Sequence, residues 1–207
     1  WPGIVSIQVT LENGTWHMCS GALIHPQWAV TVAQCFRGDG AISVYKVVIG
    51  ATDLAQPGPK AELRHIQRVL KHQSYVEATA RNNIALVELD QPVECSDYIQ
   101  LGCVPDSSLE SCHSPSVCPC PPSPSSSPCH PEVCLCPPAA PDPSLLAQGD
   151  IGGPLICKDH VGDYFWLVGL ASWGKGCTGE KRPGVFTSTQ HFRGWIQVQL
   201  GLVSSNP

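Results

Sequence analysis

Charge is scarce in this sequence. Lys and Arg total 12 and Asp and Glu 17, so 14% of the 207 residues are charged and the formal net charge is −5. A chain without a positive excess lacks the basic face that phosphate backbones require, which argues against nucleic acid as a partner. Long apolar runs are also missing. The longest, Tyr164 to Trp173, falls well short of the ~20 residues of a membrane-spanning helix. Methionine occurs once, at Met18, and the chain opens on Trp1, which reads as a fragment or a processed form whose signal peptide would lie upstream.

Cysteine and proline, in contrast, are abundant, at 12 and 20 residues. Twelve cysteines in a chain of this size point to an oxidising compartment, so the secretory pathway is expected, with an extracellular or related destination. Asn13-Gly14-Thr15 is an N-glycosylation sequon on an expected surface turn.

Residues 1–110 read as all-β. Ile4 to Val9, Met18 to Ile24, Trp28 to Val32, Tyr45 to Ile49, Ile66 to Leu70 and Ile84 to Leu89 are short runs rich in β-branched residues, with Gly, Pro, Asn and Asp between them. That spacing suggests a small barrel or sandwich. The run Leu63 to His72 mixes apolar and basic residues and reads as an edge strand with a wet face. Residues 111–147 are different material. Between 112 and 143 stand 11 prolines, six cysteines and six serines, and Val117-Cys118-Pro119-Cys120-Pro121-Pro122 returns as Val133-Cys134-Leu135-Cys136-Pro137-Pro138. Proline removes ladder donors and fixes φ, so no regular strand or helix is expected there. Strand-like sequence resumes within 148–207, at Leu155 to Cys157, Tyr164 to Ala171 and Gly184 to Thr187. Gln190 to Leu200 reads as a helix with Phe192, Trp195 and Ile196 on its buried face.

Three motifs carry the functional argument. Thr31-Val32-Ala33-Gln34-Cys35, Asn82-Asn83-Ile84-Ala85-Leu86 and Gly149-Asp150-Ile151-Gly152-Gly153-Pro154 occur in this order. They resemble the histidine, aspartate and serine motifs of the chymotrypsin-fold, trypsin-like serine proteases, over about 1–112 and 148–202. Each has lost its reactive residue: Gln34 stands at the histidine position, Asn83 at the aspartate and Ile151 at the serine. The resemblance implies an all-β, two-barrel fold with a C-terminal helix. Its second barrel would be incomplete, because the Pro/Cys/Ser segment replaces three expected strands.

The same resemblance implies disulfides Cys19–Cys35 and Cys112–Cys157, and oxyanion-hole positions at Gly149 and Ile151. It implies a substrate-lining segment Ser172-Trp173-Gly174, and a pocket-closing strand through Gly184. Leu145 stands where trypsin-like members carry an acid, so preference for basic substrates is not carried over. Ala147 replaces a cysteine, which leaves Cys177 without its expected partner. Asp150 would pair with an amino terminus lying upstream of Trp1. Features such as Trp1-Pro2, Cys95 through Cys103-Val104-Pro105 and Lys181-Arg182-Pro183-Gly184 resemble the acrosin-like branch of the family. That likeness implies a light chain bonded through Cys95 or Cys103 and an egg-coat glycan or glycoprotein as partner. Lys60, Arg64, Arg68, Lys71 and His72 form either a basic stripe for that glycan or an ordinary solvated face.

Acyl transfer needs a hydroxyl, a base within reach and an acid that orients the base. Ile151 has no lone pair, and the amide of Gln34 has no useful proton affinity. The eight histidines fall outside the three motifs. No cofactor is expected. Cys118, Cys120, His130, Cys134 and Cys136 fit zinc poorly, because their C-x-C spacing among prolines is not that of a zinc knuckle. The sequence therefore reads as an inactive protease homologue that binds. The alternatives are a serine endopeptidase, as family likeness alone would label it, and a non-functional product of a decayed or misassembled gene.

Overall fold

The computed structural model describes residues 2–36, 42–106, 151–158, 164–173 and 185–202, with 133–135, 158 and 173 described in their backbone alone. Six strands come first: β1 (Ile4–Leu11), β2 (Gly14–His25), β3 (Trp28–Thr31), β4 (Tyr45–Ile49), β5 (Glu62–Lys71) and β6 (Ala85–Leu89). They close into an antiparallel barrel in the order β1-β2-β3-β6-β5-β4. By register Val5, Ile7, Leu23, Ala29, Val47, Ile49, Val87 and Leu89 share one face of their strands, a face that solvent barely reaches.

Closure decides the status of β5. The sequence pattern of this mixed run predicts an edge strand. Instead it is hydrogen-bonded on both sides, Val47 opposite Arg64 on β4 and Val69 opposite Val87 on β6. A closed barrel has no edge, so the basic residues of β5 lie on its outer, wet face.

The second half supplies β7 (Val133–Leu135), β8 (Pro154–Lys158), β9 (Phe165–Trp173), β10 (Val185–Ser188) and α1 (Arg193–Gln199). Among the described residues the second sheet has four strands, in the order β7-β10-β9-β8. Strand β7 corrects the expectation that no strand could run through the Pro/Cys/Ser segment. Glu132 to Cys136 is free of proline, and among the described residues β7 has a single neighbour in the sheet, β10. An edge strand has one unpaired side, and a three-residue strand ends before the flanking prolines would have to donate.

The two halves share one core. Leu167 and Leu170 of β9, with Phe192 and Ile196 at α1, belong to the same buried cluster as the barrel residues. The chain crosses between the halves at 102–103. Gly102 donates to the carbonyl of Leu23 on β2 at 2.7 Å, and the Cys103 carbonyl accepts from Leu167 on β9 at 2.8 Å. Helix α1 has seven residues, too few to be stable alone. Its anchor is packing: Phe192 is buried, and its ring and that of Trp195 each lie 5.2 Å from the imidazole of His72 at the end of β5.

Candidate functional site

Gln34 lies in a single 3-10 turn, Ala33–Phe36, that follows β3. The Cys19–Cys35 disulfide ties that turn to β2, as the sequence resemblance implied. Asn83 stands two residues before the start of β6, and its neighbour Asn82 takes a positive φ of 53°. Ser172 stands near the end of β9 and Thr187 on β10. Four elements from both halves thus converge on one buried point, where Asn83 is 1% exposed and Ser172 2%.

Hydrogen bonds there form a closed neutral network. The backbone N–H of Gln34 donates to Asn83 Oδ1 at 3.0 Å. A backbone N–H can only donate, so it fixes which end of the Asn83 amide faces it. Asn83 Nδ2 then gives both protons, to Gln34 Oε1 at 2.9 Å and to Ser172 Oγ at 2.7 Å. Gln34 Nε2 in turn donates to the Ser172 carbonyl at 2.5 Å. The main chain of Asn83 is also held, since Thr187 Oγ1 donates to its carbonyl at 3.0 Å. Each amide fixes the orientation of the other, and no member of the network titrates in the physiological range.

Ile151 occupies the turn before β8, and its side chain is 36% exposed. Its backbone is fastened to the first barrel, with the Ile151 carbonyl accepting from Ser20 N–H at 2.8 Å. The Ser20 carbonyl accepts from Thr31 Oγ1 at 2.7 Å, three residues before Gln34. The next residue explains why a glycine is needed. Gly152 has a φ of +85°, and a Cβ there would stand 2.2 Å from the Ser20 carbonyl oxygen and 2.3 Å from Thr31 Oγ1. Its N–H donates to the Ala171 carbonyl at 2.7 Å, and the Gly153 carbonyl accepts from Ala171 N–H at 2.8 Å. The turn carrying Ile151 is therefore clamped between β2 and β9.

The Trypsin family model matches residues 2–119 and 132–196. The chain belongs to the trypsin family. The match spans most of the chain; it passes the inner limits read from motifs alone, 112 and 148, ends at 196 rather than 202, and leaves 120–131 unmatched between its two parts. The trypsin-family chain therefore keeps a closed first barrel, a partial second sheet and a C-terminal helix.

Of the residues singled out in the sequence, Gln34, Asn83 and Ser172 are brought together directly, and Ile151 is tied to the same corner through Ser20 and Thr31. Trp173 closes β9, with its backbone opposite Val185. Gly149, Leu145, Gly174, Gly184 and Cys112 lie outside the described residues, as does most of the Pro/Cys/Ser segment. Cys95 and Cys103 carry exposed thiols. Asn13 sits at the exposed tip of the β1–β2 hairpin.

Sequence reasoning missed Thr31 and Thr187, whose hydroxyls hold the site's backbone. Thr31 lies inside a motif and is readable as a holder of the turn; nothing local marks Thr187. It also missed the pairing of Ser6 Oγ with His17 Nδ1 at 2.7 Å. Those two residues line a cavity of about 670 Å³ with Pro2, Leu54, Asp97 and Tyr98. The expected basic stripe is largely spent on partners. Arg64 pairs with Glu62, and Arg68 pairs with Glu88 at 2.8 Å while its guanidinium lies 5.5 Å from the centre of the Trp28 ring. His72 is engaged with Phe192 and Trp195.

Proposed function

We propose that this trypsin-family chain does not hydrolyse peptides and acts by binding. One observation carries the reading: the position that would attack carries Ile151, and the position that would take the proton carries Gln34, whose amide is bonded at both ends to Asn83 and Ser172. Neither side chain can supply a nucleophile or a general base. The two amides are held by each other and by Ser172.

The acrosin-like likeness extends this proposal to an egg-coat glycoprotein as ligand and to a light chain bonded through Cys95 or Cys103. The two exposed thiols support the second point. Recognition of an anionic glycan by the β5 stripe is disfavoured, because Arg64 and Arg68 already face carboxylates. A binding surface formed by loops outside the hydrogen-bonded network suits the reading better, since Ser172 and β10 are themselves buried. Such a role fits a fold whose function resides in its loops and surfaces.

The test is direct. Purified protein is incubated with a panel of peptide substrates and with a serine-reactive phosphonate. The expected result is no turnover above buffer and no labelled peptide. Turnover that survives repurification and follows the protein through size exclusion would overturn the proposal.

A further inference from the structure

The tip of the β1–β2 hairpin has an unusual surface. Leu11 and Trp16 are 53% and 54% exposed. The register places Leu11 opposite Gly14 and Val9 opposite Trp16. Residues two apart on a strand share a face, so Leu11 and Trp16 lie on the same side of the hairpin. Between them Gly14 contributes no side chain, and a Cβ built there would meet nothing within 4 Å. An apolar ledge with open space above it therefore caps the hairpin.

Asn13 lies at that ledge. Its Oδ1 accepts from Trp16 Nε1 at 3.4 Å. This bond uses the amide oxygen and leaves the amide nitrogen as the site of attachment. Asn13-Gly14-Thr15 is also the sequon noted in the sequence. We propose that Asn13 carries an N-linked glycan whose first N-acetylhexosamine is seated on the indole of Trp16, covering the Leu11–Trp16 ledge. In the transfer, the Asn13 Nδ2–C1 bond forms. The C1–O bond to a lipid-linked oligosaccharyl diphosphate breaks, and the lipid diphosphate leaves as the amide gives up one proton. The Oδ1 acceptor is untouched by this chemistry, so the Trp16 bond persists and restricts the amide to an orientation beside the ring. The apolar face of a pyranose matches the flat face of an indole, while its hydroxyls stay in water.

The inference is independent of whether the chain hydrolyses peptides. The full chain is secreted from cells that stop N-glycan processing at the high-mannose stage, and three samples are compared: intact, trimmed to a single N-acetylglucosamine by an endoglycosidase, and a Thr15→Ala variant that loses the sequon while keeping Asn13. Peptide mass spectrometry reads Asn13 occupancy, and hydroxyl-radical footprinting reads Trp16. The expected outcome is a glycan on the Asn13 peptide, equal protection of Trp16 in the first two samples and roughly twofold greater labelling in Thr15→Ala, because a sugar over one face hides about half of an exposed ring. An unmodified Asn13 peptide would overturn the site. Equal Trp16 labelling in all three samples, with the Cys19–Cys35 bond intact in each, would overturn the seat.

Discussion

Asparagine at position 83 is expected to be required by the glutamine at 34. Consider Asn83→Asp with Gln34 retained. The Gln34 backbone N–H still has an acceptor, and the Ser172 hydroxyl can rotate to donate. The second carboxylate oxygen, however, would face Gln34 Oε1, where Nδ2 now donates across 2.9 Å. Turning the Gln34 amide over relieves that clash but sets Oε1 against the Ser172 carbonyl, now only 2.5 Å from Nε2. Either way one hydrogen bond is lost, and a charge enters a position that is 1% exposed, with no cation in the network. A lost bond costs about 1 kcal/mol and an unpaired buried charge more, so roughly 2–3 kcal/mol is expected. At about 2–4 °C per kcal/mol for a chain of this size, the melting temperature should fall by roughly 5–10 °C.

Adding Gln34→His should recover part of this loss, since an imidazole N–H can donate to the carboxylate. The double-mutant coupling should reach about 1.5 kcal/mol in the favourable direction. Urea unfolding followed by tryptophan fluorescence, with the disulfide intact, measures all four corners of the cycle. An Asn83→Asp variant within about 0.5 kcal/mol of the parent, or two single changes that simply add, would refute the view that the amides are matched to each other.

Other outcomes follow from the same geometry. Gly152→Ala should lose about 3 kcal/mol or more, or fail to be secreted, because its Cβ meets backbone at 2.2 Å and φ is positive; secretion yield and urea midpoint check it. Removing the Cys19–Cys35 bond by a double alanine change should cost about 3 kcal/mol, for a separation of 16 residues, read by the same titration. Ile151→Ser alone should leave peptide turnover at background, because Gln34 remains unable to accept the proton; a chromogenic assay decides it. Leu86→Ala, at a fully buried barrel position, should lose roughly 2–5 kcal/mol, visible as a lower thermal midpoint.

Much of the fold is legible because barrel strands are short, β-branched and separated by turn residues. Tyr45 to Ile49 coincides with β4, and the remaining first-half runs each fall within a residue or two of a strand or inside one. The failures share a cause. Leu63 to His72 reads as an edge because its outward residues are polar. The outer face of a barrel strand is polar for the same reason, and only the pairing with both β4 and β6 distinguishes the two. Val133 to Leu135 reads as lying outside the fold when proline density is averaged over the segment, whereas a strand needs only a few proline-free residues beside an available edge. Arg68 on the β5 stripe looks free in the sequence because its acid, Glu88, lies 20 residues away along the chain and directly across the ladder in space, whereas the partner of Arg64, Glu62, is only two residues away.

By itself, the sequence determined which atoms exist at the three signature positions. A branched hydrocarbon cannot attack a carbonyl and an amide cannot serve as a base, wherever the chain places them. It also determined the strands, through local patterning, and the Cys19–Cys35 pairing, through likeness to a family. What only the tertiary structure decided is how those substitutions coexist. Gln34, Asn83, Ser172 and Thr187 are separated by up to 153 residues (187 − 34), and the orientation of each amide depends on a donor or acceptor supplied by another element. Hydrogen-bond complementarity acts over about 3 Å and through fixed angles, so no local pattern encodes it. It appears only when the turn after β3, the start of β6 and the end of β9 meet.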